Sequence, residues 1–159
     1  MQVVSDDIIQ EVLQEQGEMD FLETERLIAQ MSREQPSLLT YLMASNEEHY
    51  NFEEKQLLLF LGINISQMMK KNQNAIQQVS MEDIETAQEK NIQMFEYLEN
   101  ELPGDFEGTT EMIFKGYNQK NVLRYIIETL FQDDDPHIRP DRKGLIFFDL
   151  KTVLDCLDQ

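Results

Sequence analysis

Between Leu57 and Met69 the chain is apolar at most positions, and this stretch restricts the fold more than any other feature of the sequence. The apolar residues of this stretch are Leu57, Leu58, Leu59, Phe60, Leu61, Ile63, Ile65, Met68 and Met69. On a helix their side chains cover nearly the whole circumference. A helix that is apolar on most sides has to be enclosed by other elements. We therefore predict a helix over 52–72, with Leu57–Met69 at the centre of the core.

The rest of the chain predicts more helices and no sheet. Only 6 Gly and 4 Pro occur in 159 residues, and a sandwich or barrel with many tight turns would need more of both. A chain of this length suits one domain with a sizeable core. We predict an all-α fold, a single compact domain of seven or eight helices over 1–159, built as stacked αα-hairpins or as an irregular helical bundle. No convincing repeat period is visible.

Capping residues and apolar spacing place the individual helices. Ser5, Asn51 and Ser80 are the expected N-caps of three of them, with Glu54 and Asp83 completing two capping boxes. The predicted helices span about 5–17, 20–33, 36–45, 52–72, 80–101, 110–117, 122–131 and 150–157.

Several details of these helices are predicted from single residues. Gly17 is expected to end the first helix, and Pro103-Gly104 the fifth. The second helix is expected to bury Phe21, Leu22, Ile28 and Met31, and the third shows a stripe of Leu38, Leu39, Leu42 and Met43. Thr109 or Thr110 is expected to cap the sixth helix, and Leu145–Phe148 is interpreted as a short extended segment. A flexible connection is expected at 70–79, which is polar and rich in amides.

The charge of the chain limits its partners. It carries 31 Asp and Glu against 13 Lys and Arg, a formal net charge of −18. A chain this acidic is repelled by phosphate backbones and anionic lipid surfaces, so we expect no nucleic-acid or membrane partner. Residues 1–50 hold 11 of the acids and only two basic residues, Arg26 and Arg33. We expect these acids on solvated helix faces, where they serve solubility or form a docking face for a protein partner with a basic surface.

Cysteine content and apolar runs point to a cytoplasmic protein. Cys156 is the only cysteine, so neither an intramolecular disulfide nor a cysteine zinc cage can form. The first residues, Met-Gln-Val-Val-Ser-Asp-Asp, lack the basic and apolar regions of a secretory signal. The longest apolar run, Leu57–Leu61, is far shorter than the ~20 residues of a membrane span. We therefore expect cytoplasmic residence.

One histidine raises the question of a metal site. His49 and Glu53 are four residues apart, near Glu47, Glu48 and Glu54. Metal sites in helical bundles use Glu-x-x-His pairs, but the residue three before His49 is Asn46. An exposed histidine at a helix start is the favoured interpretation, and no metal ligand is predicted.

The segment 133–144 clusters charge and proline. Aligned with an EF-hand calcium loop, it would place Arg139 and Leu150 where acidic ligands belong, which argues against calcium. A surface loop is favoured, in which Arg139, Arg142 and Lys143 neutralise neighbouring Asp residues. A partner-binding loop is the alternative.

Catalytic signatures are missing from the sequence. Cys156 lies between Asp155 and Asp158, which would raise its pKa, so a packed, inert thiol is favoured over a nucleophile. The common hydrolase, nucleotide and dinucleotide motifs do not occur. We predict no catalytic, cofactor-binding or metal-binding residue, and no cofactor.

Three functions are compatible with these observations, and the sequence leaves the oligomeric state open. The favoured one is a non-catalytic cytoplasmic interaction or regulatory protein. The first alternative is an acidic inhibitor or immunity-type protein that neutralises a basic partner. The second is an enzyme or metal protein with a dispersed carboxylate site.

Overall fold

Helices supply all the regular structure in the computed structural model, which describes residues 1–73, 75–101, 106–132 and 134–159. Over these ranges the fold is all-α, with eight α-helices in one compact arrangement and no strand. Two short 3₁₀ turns, Glu47–His49 and Pro140–Arg142, occur between helices. The α-helices are α1 (Asp6–Glu18), α2 (Phe21–Glu34), α3 (Pro36–Ala44), α4 (Phe52–Asn72), α5 (Met81–Glu101), α6 (Phe106–Phe114), α7 (Lys120–Phe131) and α8 (Lys143–Leu157).

The predicted caps begin their helices. The Ser5 hydroxyl accepts a hydrogen bond from the Ile8 N–H at 3.3 Å and starts α1. Asn51 and Glu54 form the capping box of α4: the Asn51 side chain accepts from the Glu54 N–H at 2.8 Å, and the Glu54 carboxylate accepts from the Asn51 N–H at 2.9 Å. Ser80 and Asp83 make the same reciprocal pair at the start of α5. These local signals explain why the predicted starts of three helices are correct.

The core is built around two helices rather than one. Helix α4 packs on α1, α3 and α8, and α8 packs on α4, α5 and α7. The prediction that Leu57–Met69 is enclosed is confirmed, because most of its side chains are buried. The interpretation of Leu145–Phe148 as an extended segment is wrong, since these residues form the first turns of α8. The rule that identified α4 also applies to α8, which is apolar on several sides and enclosed by its neighbours.

Other predicted details need correction. Helix α1 continues through Gly17 to Glu18, and Thr109 and Thr110 lie inside α6 instead of capping it. Phe21 and Leu22 are exposed, because the buried side of α2 is formed by Leu27 and Met31. Met43 is exposed as well. The expected stop at Pro103-Gly104 lies outside the described residues.

The segment 70–79 is only partly a connection. Residues 70–72 form the last turn of α4. Further along, the buried side chain of Gln35 donates to the Gln77 carbonyl at 3.0 Å and accepts from the Val79 N–H at 2.9 Å. Val79 is buried. The flexibility of this segment stays a prediction.

Gly62 allows α3 and α4 to approach closely, and this gives a test of the packing. A methyl group at Gly62 would lie 2.5 Å from Leu42 Cδ1, and Leu42 is itself buried. Gly62→Ala should therefore destabilise the protein by about 1–3 kcal/mol through overpacking. In Gly17→Ala the new methyl group meets nothing within 4 Å, so this control should be neutral or stabilise by up to about 1 kcal/mol. Urea denaturation of both variants measures the difference, and equal stabilities would contradict the packing described.

Candidate functional site

Asp149 is a fully buried carboxylate in the middle of α8. The hydroxyl groups of Tyr41 and Tyr50 donate to its two oxygens at 2.8 and 2.7 Å, and Asn46 Nδ2 donates at 3.0 and 3.2 Å. Burial raises the pKa of Asp149, although the three donors favour its charged form and oppose the shift. This cluster joins α8 to α3 and to the segment that follows α3.

A second polar cluster lies further along α8. Lys151 Nζ donates to Asn91 Oδ1 at 2.7 Å and to Asp155 Oδ2 at 2.9 Å. Asn91 also donates to Asp155 at 3.0 Å, and the Tyr117 hydroxyl donates to the other oxygen of Asp155. Burial and the Asp155 charge raise the pKa of Tyr117. These contacts connect α8 with α5 and with the residues after α6.

The third carboxylate, Glu54, is fully buried and holds the loop before α8. Arg139 donates to it from its backbone N–H at 2.9 Å and from Nη2 at 2.7 Å. Burial raises the pKa of Glu54, but hydrogen bonds from Arg139 and Asn51 outweigh burial and lower the pKa to about 2. Arg139 and Arg142 also donate to the His49 carbonyl. The direct ion-pair partner of Arg139 is thus Glu54 rather than an aspartate, whereas Arg142 pairs with the neighbouring Asp141 at 3.7 Å, as expected.

These three clusters are suited to holding helices together rather than to catalysis. A general base or acid needs a lone pair or a proton that faces a substrate. Both oxygens of Asp149, of Glu54 and of Asp155 accept hydrogen bonds from side chains or backbone of the chain itself. None of the three is an exposed residue.

The residues considered as metal ligands lie apart from these clusters. His49 is exposed in the 3₁₀ turn, and its Nε2 lies 3.5 Å from Glu48. Glu53 is exposed in the first turn of α4. Across the part of the chain that the structure describes, no three His, Cys, Asp or Glu side chains are placed to share a metal ion.

Cys156 is buried in the last turns of α8. Its Sγ lies 3.8 Å from the Asp83 carbonyl oxygen. Burial, with the negative charges of Asp155 and Asp83, raises the pKa of Cys156 to about 12. A thiol with this pKa carries almost no thiolate at neutral pH, so its geometry is that of a packed side chain.

The acids of residues 1–50 lie on the outside of the molecule, as expected. All 11 are exposed. Lys71 Nζ reaches Glu11 and Glu15 at 2.9 and 2.7 Å, and Lys70 Nζ reaches Glu34 at 2.9 Å. The acids nearest the end of α4 are thereby neutralised, and the uncompensated charge is concentrated elsewhere on α1 and α2.

Part of that charge lies close in sequence to two exposed apolar side chains at the junction of α1 and α2. Phe21 is 76% exposed and Leu22 is 59% exposed. We define the α1–α2 patch as these two residues and the four exposed acids around them in sequence: Glu18, Asp20, Glu23 and Glu25. Among the described residues none of these acids has a salt bridge, and Asp20 accepts from the Glu23 N–H as the cap of α2. Arg26, which is also exposed on α2, lies next to these acids in sequence. Exposed apolar groups rimmed by charged side chains are typical of a protein-binding surface.

Comparison of the chain with protein-family models, with curated proteins and with solved structures finds no match. None of the described helices combines the length and the apolarity needed to span a membrane. The α1–α2 patch is therefore a candidate functional site on the grounds of its exposure and charge alone.

Sequence reasoning located the acids of this patch but not its apolar residues. Phe21 and Leu22 fit the apolar stripe of a helix as well as Leu27 and Met31 do, and only the packing of α2 in the folded protein decides which pair is buried. The hydrogen bonds of Asp149 had no sequence signal, because its partners lie about a hundred residues away.

Glu54→Gln tests the contact between α4 and the loop before α8. The pKa of Glu54 in the folded protein lies below the ordinary 4.5. The stability that its charge contributes is therefore present above pH 4.5 and disappears as the pH falls towards 2. We expect Glu54→Gln to cost about 2–3 kcal/mol at pH 7 and progressively less below pH 4.5. Denaturation at pH 7 and at pH 3 measures the effect, with Glu53→Gln as the exposed control, and a cost that does not depend on pH would refute this account.

Asp149 should show the opposite dependence on pH. Its pKa is raised above the ordinary 3.8, so ionisation of Asp149 removes stability as the pH rises through the folded pKa. Asp149→Ala leaves Tyr41, Tyr50 and Asn46 without an acceptor and should cost about 2–4 kcal/mol. Asp149→Asn keeps an acceptor and removes the buried charge, so at pH 7 it should lower the free energy of unfolding less than Asp149→Ala does. This loss should grow as the pH falls, because protonation of Asp149 stabilises the unaltered protein and does not affect the asparagine variant. Thermal and urea denaturation of both variants at several pH values measures these losses of stability. A loss for Asp149→Asn that is the same at every pH would contradict this account.

Proposed function

We propose that this chain is a non-catalytic interaction or regulatory protein of the cytoplasm that binds a basic partner protein through the α1–α2 patch. The observation that carries the proposal is the exposure of Phe21 and Leu22 among four acids that have no cationic partner among the described residues. A partner that fits this surface presents Lys or Arg side chains around an apolar centre, as a basic amphipathic helix does.

The chemistry of the core supports a non-catalytic role. The buried carboxylates of Asp149 and Glu54 accept hydrogen bonds from Tyr, Asn and Arg side chains and from backbone N–H groups of the same chain. The one cysteine is a buried thiol with a raised pKa. A free thiol suits the reducing conditions of the cytoplasm, which stays part of the proposal.

Each part of the α1–α2 patch has a separate role in this binding. The acids raise the rate of association with a basic surface, and this contribution weakens with salt. Phe21 and Leu22 supply apolar area whose burial holds the complex together and depends far less on salt. The proposed complex thus has a salt-sensitive component and a salt-resistant one.

Binding of an amphipathic Leu/Lys helical peptide tests the proposal directly. Burial of Phe21 and Leu22 is worth about 1.5–3 kcal/mol for each side chain at most, so Phe21→Ser/Leu22→Ser should weaken binding by about tenfold or more. Glu23→Gln/Glu25→Gln should reduce affinity at low salt and lose most of its effect at high salt. Isothermal titration calorimetry at two salt concentrations gives all of these affinities.

The matched control is Ile92→Ser on α5. Ile92 is 48% exposed and also lies among acids, including Glu85, Glu89 and Glu96. The proposal expects this variant to bind the peptide as the unaltered protein does. It is contradicted if Ile92→Ser weakens binding as much as Phe21→Ser/Leu22→Ser, because the α5 surface would then be the binding site.

The inhibitor alternative makes a different prediction in the same experiment. Neutralisation of a basic partner by charge requires only the acids. Poly-lysine would then bind as well as the Leu/Lys helix, and Phe21→Ser/Leu22→Ser would bind normally. That result would replace the proposed patch with a purely electrostatic surface.

A further inference from the structure

Three basic side chains line one groove between the end of α6 and the first turns of α7. The groove has a volume of about 400 Å³ and is lined by Glu111, Phe114, Lys115, Lys120 and Arg124. All three basic residues are exposed. We call this feature the α6–α7 groove. It is a basic concavity in a chain whose acidic residues outnumber the basic ones by 31 to 13.

The positive charge of the α6–α7 groove is not neutralised within the described part of the chain. Among the described residues, Lys115, Lys120 and Arg124 form no salt bridge, and Arg124 donates only to the neutral Asn121 side chain, at 3.4 Å. At the end of α4, by contrast, two lysines bind acids of α1 and α2 at 2.7–2.9 Å. Because Glu111 is the one acid in the lining, the groove keeps an excess of positive charge.

The start of α7 adds to this positive charge. Helix α7 begins at Lys120, its first turn holds no acidic residue, and no side chain of the described residues caps it. Helices α1, α2 and α4, in contrast, each have acids in the first turn and a side-chain cap. Uncapped N–H groups at a helix start carry partial positive charge. A carboxylate that enters the groove therefore meets three cations beside a helix N-terminus.

The α1–α2 patch has the composition that complements this groove. It combines four exposed acids with the exposed side chains of Phe21 and Leu22. A cavity of about 150 Å³ already accommodates benzene, so the larger groove has room for the ring of Phe21 beside Phe114. Lysine and arginine side chains also attract the face of an aromatic ring. The two surfaces thus match in charge and in apolar content.

The patch of one molecule cannot reach the groove of the same molecule. Asn121, the residue after Lys120, donates to the Val4 carbonyl just before α1, so the groove lies near the start of that helix. The patch begins at Glu18, the last residue of α1. The 13 residues of α1 separate the two surfaces by about 20 Å, and α1 is packed on α4. A contact between patch and groove therefore joins two copies of the chain.

We propose that the α6–α7 groove binds the α1–α2 patch of a second copy of this chain, so that the protein associates with itself head to tail. This inference rests on the proposed function, because the α1–α2 patch is the binding surface of one copy. The two surfaces in contact differ from each other, so a pair of copies still has one unoccupied patch and one unoccupied groove unless the assembly closes.

The net charge of the chain limits the strength of this association. Two copies, each with a net charge of −18, repel each other at long range. At a salt concentration of about 0.15 M this repulsion is screened beyond about 8 Å, whereas groups in direct contact are screened less. We therefore expect a reversible equilibrium between single chains and larger species rather than a permanent complex.

Analytical ultracentrifugation over a range of protein concentrations provides the first test. Larger species of the unaltered protein should become more abundant as its concentration rises. Lys115→Glu/Lys120→Glu should weaken self-association by about tenfold or more, because it brings acids of the groove against acids of the patch. Phe21→Ser/Leu22→Ser should have an effect of similar size through loss of apolar contact. Circular dichroism establishes that each variant keeps the helicity of the unaltered protein.

A mixture of these two variants gives a result that only the head-to-tail contact explains. Lys115→Glu/Lys120→Glu keeps an intact patch, and Phe21→Ser/Leu22→Ser keeps an intact groove. The mixture should therefore form a complex of one chain of each kind and nothing larger, since the remaining patch and the remaining groove are both altered. A mixture that stays monomeric overturns the proposal.

The control with the same change of net charge is Arg33→Glu/Lys90→Glu. Both residues are exposed and lie outside the patch and the groove. This variant should self-associate much more strongly than Lys115→Glu/Lys120→Glu does. Equal losses in the two variants would contradict the proposal, because net charge alone would then control association. An unaltered protein that is monomeric at every concentration also overturns it.

The Leu/Lys helical peptide separates this proposal from the proposed function. The peptide should bind Lys115→Glu/Lys120→Glu at least as tightly as it binds the unaltered protein, because the patch is intact and no second copy competes for it. Normal peptide binding by a monomeric unaltered protein would refute self-association and leave the proposed function in place. If the peptide does not bind and Phe21→Ser/Leu22→Ser self-associates normally, the patch is not a binding surface and both proposals fail.

Discussion

The buried carboxylate of Asp149 is the interaction on which the arrangement of helices depends. It lies in the middle of α8 and accepts hydrogen bonds from Tyr41 and Tyr50, which come from a distant part of the chain. A buried carboxylate without donors is costly, so only one placement of α3 and the residues after it against α8 satisfies this group. Burial of apolar side chains has no preferred direction, whereas these hydrogen bonds require defined distances and angles between α3 and α8.

The same division between apolar packing and polar specificity holds elsewhere in the fold. Glu54 orders the loop before α8 through Arg139, and Asp155 joins α8 to α5 through Asn91. These buried and half-buried carboxylates therefore organise the inside of the molecule, while the acids of residues 1–50 are all exposed. The acidic residues of this chain thus form two groups with different roles: those inside the molecule join helices, and those of residues 1–50 lie on the surface.

Local signals in the sequence were enough to predict the fold class and most helix starts. The capping boxes of α4 and α5 use residues three positions apart, and the enclosed position of α4 follows from its own apolar residues. Predictions failed where a distant partner decides the outcome. Leu145–Phe148 belongs to α8, which packs on α4, α5 and α7. Phe21 is exposed because the buried side of α2 is formed by Leu27 and Met31. The charge of the α1–α2 patch could be predicted for this reason, but its apolar centre could not.

The position of α8 in the chain also affects how the protein folds as it is synthesised. Helices α1 to α7 leave the ribosome before α8, yet α4, α5 and α7 all pack on it. Until α8 emerges, the apolar side of α4 that it covers has no partner, and the hydroxyls of Tyr41 and Tyr50 lack their acceptor. Folding of the core is therefore completed after α8 has been synthesised, and the nascent chain exposes apolar surface until then.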